Sequence, residues 1–225
     1  VLLPNIARVT SSKKDIERNN LINRSAEFAL IFTLPATSAL LIIPYPLIVV
    51  LFERGAFTAY DTQNTSNALF VYALGLPAFV FQKIFSTIYF AHENTRSPFN
   101  FALVGMISNL VFAIGLTGTF GYLAPAIGTT LSGWIITFLL WKNLKIFNFS
   151  FDAQFKETIV KIFSATLILS LFLVLSNIVF INLFIESSEK ILIFAIIIIF
   201  SILLYLLICK AFGLTEPFSK ILKNN

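Results

Sequence analysis

Between Arg96 and Lys142 the chain runs from Ser97 to Trp141, 45 residues, without an Asp, Glu, Lys or Arg. About 20 helical residues cross the hydrocarbon core of a bilayer, so this stretch is too long for one crossing and suits two. Gly118-Thr119-Phe120-Gly121 offers a place for the tight turn between them. A soluble domain of this kind is excluded by composition, since 57% of the 225 residues are hydrophobic and only 12% charged, with 26 Phe. Soluble domains are about half apolar and a quarter charged, and one core of this size cannot hide the surplus.

Four further charge-poor windows complete a set of six. Phe28 to Phe52 lies between Glu27 and Glu53, Asn67 to Ala91 carries only Lys83, and Ile162 to Ile185 and Ile191 to Cys209 flank Glu186, Glu189 and Lys190. The Ile-rich last window has β-branched residues suited to strands, but a run this long without alternation fits a helix. The expected fold is therefore all-α, a polytopic transmembrane helical bundle of six spans. Val1-Leu2-Leu3-Pro4, with neither an initiating Met nor a signal peptide, reads as the cytoplasmic end of a preceding helix. On that reading the chain is the C-terminal portion of a longer membrane protein. Residues 11–25 read as a cytoplasmic amphipathic connector with Ile16, Leu21 and Ile22 on its apolar side.

Basic residues set the expected orientation. With six crossings both ends share one side, which collects Arg8, Lys13, Lys14, Arg18, Arg24, Arg96, Lys142, Lys145, Lys156, Lys161, Lys210, Lys220 and Lys223, or 13 of 16 Lys and Arg. The positive-inside rule makes that side cytoplasmic. The net charge of +5 is then a topology signal, and nucleic acid is not an expected partner. A single Cys, Cys209, and a single His, His92, leave no metal cluster or internal disulfide to expect, and no cofactor is implied.

Lys83 is the residue that most invites a function. An ammonium near the middle of a span costs about 2.5–3.5 kcal/mol on insertion scales. Lys83 lies eight residues before Ala91, about 12 Å from the cytoplasmic end at 1.5 Å per residue. Its stem can snorkel most of that way, or its charge can face a polar cavity. No Asp or Glu falls inside any of the six windows, so in a cavity it suits an anion such as a phosphate or pyrophosphate. The same absence disfavours proton relays and paired-carboxylate catalysis, and there is neither an HExxH nor a GxSxG motif, so an enzyme is not expected.

Asn109, Thr129 and Thr130 are the other polar groups singled out within the spans, either for interhelical hydrogen bonding or, for Asn109 and Thr129, for substrate contact. Pro35, Pro44 and Pro46 are expected to interrupt the first span, Gly75 and Pro77 the second, and Pro125 the fourth. Such bends line cavities or act as hinges, or simply reflect the frequency of Gly and Pro in membrane helices. In the external loop Glu53, Arg54 and Asp61 suggest a small ion-pair network around Gly55, and with Arg96 they are candidates for gating. His92, beside Glu93 at a helix end, reads as a solvated interface residue.

The succession LLPNIAR at 2–8, LP at 34–35, LFERGAFTAYDT at 51–62, ALFVYALGLPAF at 68–79, Lys83 and YFAHENTRSP at 89–98 resembles the MurJ/MviN family of lipid II flippases. That family belongs to the multidrug, oligosaccharidyl-lipid and polysaccharide exporter superfamily. The resemblance is dense over residues 1–134; the last two spans match mainly in hydropathy and position. It implies that the six spans are the last six of fourteen helices, working with an N-terminal lobe of the same protein. It implies alternating access around a cationic cavity, with lipid II carried from the inner to the outer leaflet of the bacterial cytoplasmic membrane for peptidoglycan assembly. Residues 25–146 would then be four helices of the second lobe, 147–213 a helix pair forming a groove for the lipid tail, 1–24 the helix end and connector, and 214–225 a cytoplasmic tail. Lys83 corresponds to a lysine of the tenth helix. A sodium site in part of the family pairs an Asn with an Asp one turn later, whereas Asn109 is followed by Ala113. Export of another polyprenyl-linked glycan or a drug, and a non-transporting scaffold, are the alternative functions.

Overall fold

The computed structural model describes residues 14–147, 149–186 and 189–214, with side chains described for 17–147, 149–179 and 189–214. The helix end expected before residue 14, the placing of Ile16 on an apolar side and the tail beyond Leu214 lie outside them. Among the described residues every regular element is helical: α1 (Lys14–Ile42), α2 (Pro44–Phe52), α3 (Ala59–Ala73), α4 (Leu76–Ala91), α5 (Arg96–Phe120), α6 (Ala124–Asn143), α7 (Ala153–Glu186) and α8 (Lys190–Ala211), with short 3-10 turns at Gly121–Leu123 and Leu144–Phe147. The Ile-rich final window is indeed a helix.

Five helical stretches are long and apolar enough to cross a membrane, and one of them, Arg96–Phe147, contains both α5 and α6. The separation of those two falls slightly later than expected. Gly118 and Thr119 are still helical, and the chain turns only at Gly121, whose φ of +52° suits a residue without a Cβ.

Proline placement explains where spans break. Pro44 starts α2 directly after Ile43 and ends α1, whereas Pro46 sits in the first turn of α2, where its missing N–H has no intrahelical role. Pro35 lies inside α1 without ending it, and Pro125 initiates α6 rather than interrupting it. The expected connector at 11–25 is also different. From Lys14 it continues into the first span as one helix, with Ile22 buried but Leu21 exposed, so these two do not share an apolar side.

Packing divides the chain into two compact units that interleave in sequence. The first, residues 1–33 and 71–156, holds the beginning of α1, α4, the α5–α6 hairpin and the start of α7; within it α6 packs on both α5 and α4. Its buried residues include Ala78, Ile88, Tyr89, Ala124, Leu140 and Leu144. The second, residues 34–70 and 157–225, holds the end of α1, α2, most of α3, and α7 and α8, with α2 against α8 and Phe172 against Phe200 at 5.2 Å.

Candidate functional site

The break between α3 and α4 is held open by α6. At the break the Gly75 N–H bonds the Tyr72 carbonyl instead of that of Val71, and Pro77 falls in the first turn of α4, so carbonyls at the end of α3 lack helical partners, a costly loss in lipid. Side chains of α6 replace them. The Thr130 hydroxyl donates to the Val71 carbonyl at 2.9 Å, and the Trp134 indole N–H donates to the Leu74 carbonyl at 3.1 Å. Below the break Gln82 Nε2 donates to the Gly133 carbonyl at 2.8 Å, and Thr137 bonds the Ala78 carbonyl at 2.9 Å. At the far end the Tyr89 hydroxyl donates to the Leu140 carbonyl at 2.9 Å, where the backbone of α6 is tightening into its 3-10 turn.

These contacts fix which side of α4 faces α6, and Lys83 lies off it. Lys83 is exposed, next to Gln82 and one turn before Thr87, whose hydroxyl donates to the Lys83 carbonyl at 2.8 Å. Its ammonium has no hydrogen-bond or ion-pair partner among the described residues. Asn109 and Thr129 are brought together across the hairpin, Asn109 Nδ2 to Thr129 Oγ1 at 3.5 Å, but neither bonds Lys83. The Thr129 hydroxyl donates to the Pro125 carbonyl at 2.8 Å. Asn109 sits over Gly128, where a Cβ would lie 2.8 Å from its Oδ1 and 3.0 Å from its carbonyl oxygen. Thr130, grouped with these two from sequence, turns away to Val71.

The loop after α2 corrects one expectation. Glu53, Arg54 and Asp61 form no ion pair with one another. Each finds a nearer partner: Glu53 Oε2 accepts from the buried Thr62 hydroxyl at 2.6 Å, Arg54 Nη2 donates to the Leu51 carbonyl at 2.8 Å, and Asp61 Oδ2 accepts from the Thr58 N–H at 2.9 Å and its hydroxyl at 2.7 Å. Asp61 caps the first turn of α3, a local role that competes with any long-range pairing. Arg96 is the exposed first residue of α5. His92 is half-buried, stacked on Phe147 at 4.2 Å with Nδ1 2.8 Å from the Ile88 carbonyl.

One constellation escaped the sequence reading. Arg24 Nη1 meets Glu27 Oε1 at 2.5 Å and its other terminal nitrogen meets Asp152, which also accepts the Phe155 N–H at 2.6 Å. Beside it Asn23 Nδ2 donates to the Ser150 carbonyl at 3.2 Å. Glu27 is buried within a stretch, Glu17–Ile42, that is apolar enough to cross a membrane, so a carboxylate does lie inside the first such helix. Searching for charge-free windows excludes it by construction. The i, i+3 spacing of Arg24 and Glu27 was the available signal that the charge is neutralised and the helix extends through it.

No group of three or more His, Cys, Asp or Glu that could hold a metal occurs among the described residues. What the helices offer instead is apolar length, backbone breaks satisfied by neighbouring side chains, and, in Lys83, an ammonium without a partner among the described residues in an otherwise uncharged stretch. The molecule is a multi-pass helical membrane protein. The family model described as "Lipid II flippase MurJ" matches residues 1–214, and the chain belongs to that family. Among its relatives, a probable lipid II flippase MurJ of Rhizobium meliloti (strain 1021) is 40% identical over 144 residues, 64% of this chain and 27% of the relative. One of Rickettsia prowazekii (strain Madrid E) is 30% identical over 176 residues, 78% of this chain and 35% of the relative. A solved structure described as "Lipid II flippase MurJ, inward closed conformation" superposes with a TM-score of 0.74 at 28% identity, over 94% of this chain and 41% of that one. The chain thus spans roughly a quarter to two-fifths of the proteins it matches.

Proposed function

We propose that these helices serve a lipid II flippase, a transporter and not an enzyme, that moves the undecaprenyl-pyrophosphate-linked peptidoglycan precursor from the inner to the outer leaflet of the bacterial cytoplasmic membrane by alternating access. The observation that carries this reading is the family match, which runs through almost the whole chain. Both ends of the six-span set lie in the cytoplasm on this reading, with the basic residues. Lys83 attracts the pyrophosphate. Its exposure and lack of a partner among the described residues support that role, because an ammonium already paired with a carboxylate would have less to offer an anion. Asn109 and Thr129 contribute neutral polar contacts, α7 and α8 receive the polyprenyl tail, and the 53–61 loop and Arg96 take part in gating.

The test is the leaflet distribution of lipid II in cells depleted of the full-length protein and complemented with Lys83 variants, using a probe that reaches only the outer face. Wild type should restore outer-face lipid II. Lys83→Leu at normal abundance should fail to restore it, while Lys83→Arg, which keeps the charge, should retain a large part. Full complementation by Lys83→Leu would remove Lys83 from the mechanism. Unchanged outer-face lipid II on depletion, with no second flippase present, would move the assignment to another polyprenyl-linked cargo or to a scaffold.

A further inference from the structure

The C-terminal end of α6 and the 3-10 turn that follows it present exposed residues that the transport reading does not use. Phe138, Trp141 and Lys142 follow the spacing i, i+3, i+4, which keeps side chains on one side of a helix, and Lys145 and Ile146 follow in the 3-10 turn. All five are exposed, Ile146 at 74%, although three are large and apolar. The opposite side is fixed in place. Leu140 and Leu144 are buried, and Phe147 is clasped between the His92 ring at 4.2 Å and the Tyr89 ring at 5.0 Å. The exposed face is therefore held out by a rigid base.

We propose that this face is a seat for a resident anionic phospholipid, with the phosphate between Lys142 and Lys145 and the acyl chains along Phe138 and Trp141. Vertical order supports that occupant. Phe138 to Lys145 is seven residues, about 10 Å of rise, enough to pass from hydrocarbon through the interfacial level that Trp favours to the headgroups. Charge complementarity supports it as well. From Asn94 to Phe151 the chain carries no Asp or Glu; of the two flanking carboxylates, Asp152 is taken by Arg24, and Glu93, exposed after α4, forms no ion pair with either lysine. No neighbouring acid in that stretch neutralises the two lysines, and they lie only one turn apart, close enough to share one phosphodiester. A soluble protein partner would explain the lysines but not Phe138 and Trp141 on the same strip. The lipid here is a permanent neighbour of the protein, separate from the cargo.

The test uses the purified full-length protein, stripped of lipid in detergent and titrated with phosphatidylglycerol or phosphatidylcholine while bound lipids are counted by native mass spectrometry. A lysine near a charged surface contributes about 1 kcal/mol, roughly fivefold in affinity. Lys142→Gln with Lys145→Gln should lower phosphatidylglycerol binding by roughly tenfold or more, whereas Lys156→Gln with Lys210→Gln, an equal charge change elsewhere on the same side, should leave it unchanged. In the unaltered protein, Trp141 emission should be quenched more by brominated phosphatidylglycerol than by brominated phosphatidylcholine, a difference lost in Trp141→Phe. Equal binding by the double variant, equal quenching by the two lipids, displacement by millimolar inorganic phosphate alone, or displacement by lipid II would each overturn the proposal.

Discussion

Arg24 and Asp152, 128 positions apart in sequence, are joined by an ion pair in which one carboxylate does two jobs. One oxygen of Asp152 meets the Arg24 guanidinium and the other accepts the Phe155 N–H that opens α7. The second guanidinium nitrogen meets the buried Glu27. Arg24 thus helps neutralise a carboxylate inside an apolar helix with one nitrogen and, with the other, ties the start of α7 to the start of α1.

Removal of the two partners should have unequal effects. Asp152 is about a third exposed, and losing its ion pair and cap should cost about 1–2 kcal/mol. Arg24→Met removes the guanidinium that meets the buried Glu27, and taking one partner from a buried ion pair costs about 3–5 kcal/mol. Unfolding of the full-length protein by denaturing detergent should rank Arg24→Met well below Asp152→Ala. Adding Glu27→Gln to Arg24→Met should restore much of the loss. If the double variant is no more stable than Arg24→Met, the stranded-charge account is wrong.

The donors that fill the Pro77 break give a second measurable effect. Thr130→Val keeps shape and removes the bond to Val71; Trp134→Phe removes the bond to Leu74. Interhelical hydrogen bonds in membranes average about 0.6 kcal/mol with a maximum near 1.7. Each change should cost about 0.5–1.5 kcal/mol in the same unfolding assay, whereas Ser108→Ala, which loses only a bond to Val104 within its own helix, should be nearly neutral. Equal effects from all three would show that α6 does not support the break.

These contacts also show what was legible in the sequence. The spans and their helical form were, because a bilayer demands long apolar runs with every backbone group satisfied internally. Gly75 and Pro77 were visible as a break, but not that Thr130 and Trp134, more than fifty residues later, would satisfy carbonyls at the break. Proline position inside a helix was harder still: Pro44 and Pro125 fall at first turns, where the missing N–H costs nothing, and Pro35 is tolerated mid-helix. The loop charges were misread because Glu53 and Asp61 had hydroxyls within reach, and a short bond to Thr62 or Thr58 competes well with an exposed pairing to Arg54. Lys83 was found by charge alone, since one cation in an apolar window needs no structure to be noticed.

Two helix ends share one closing motif with different residues in it. After α8, Gly213 with φ +69° lets the Leu214 N–H bond the Cys209 carbonyl and its own N–H bond the Lys210 carbonyl. After α4 the same pattern places Glu93 at φ +57°, with Asn94 bonding the Tyr89 carbonyl and Glu93 the Phe90 carbonyl. An L-residue in this region costs about 1–2 kcal/mol, against about 0.5–1 for the extra freedom glycine loses on folding. Glu93→Gly should therefore stabilise the protein by about 0.5–1 kcal/mol and Gly213→Ala should destabilise it by about 1. Destabilisation by Glu93→Gly would mean that the side chain has a compensating role.

The loop between α2 and α3 separates a structural acid from a dispensable cation. Thr62 is fully buried, and its hydroxyl gives its proton to Glu53 at 2.6 Å. Glu53→Ala removes an acceptor from a group with no access to water, which costs about 1–3 kcal/mol. Arg54 is exposed and donates to the Leu51 carbonyl three residues earlier, so Arg54→Ala should change stability by less than about 0.5 kcal/mol. Unfolding and transport measured together then discriminate the proposed roles. If the loop gates transport through charge, Arg54→Ala should lower flipping without lowering stability. If the loop serves only to hold α2 and α3, Arg54→Ala should leave both unchanged, while Glu53→Ala lowers flipping only as far as it lowers the amount of folded protein.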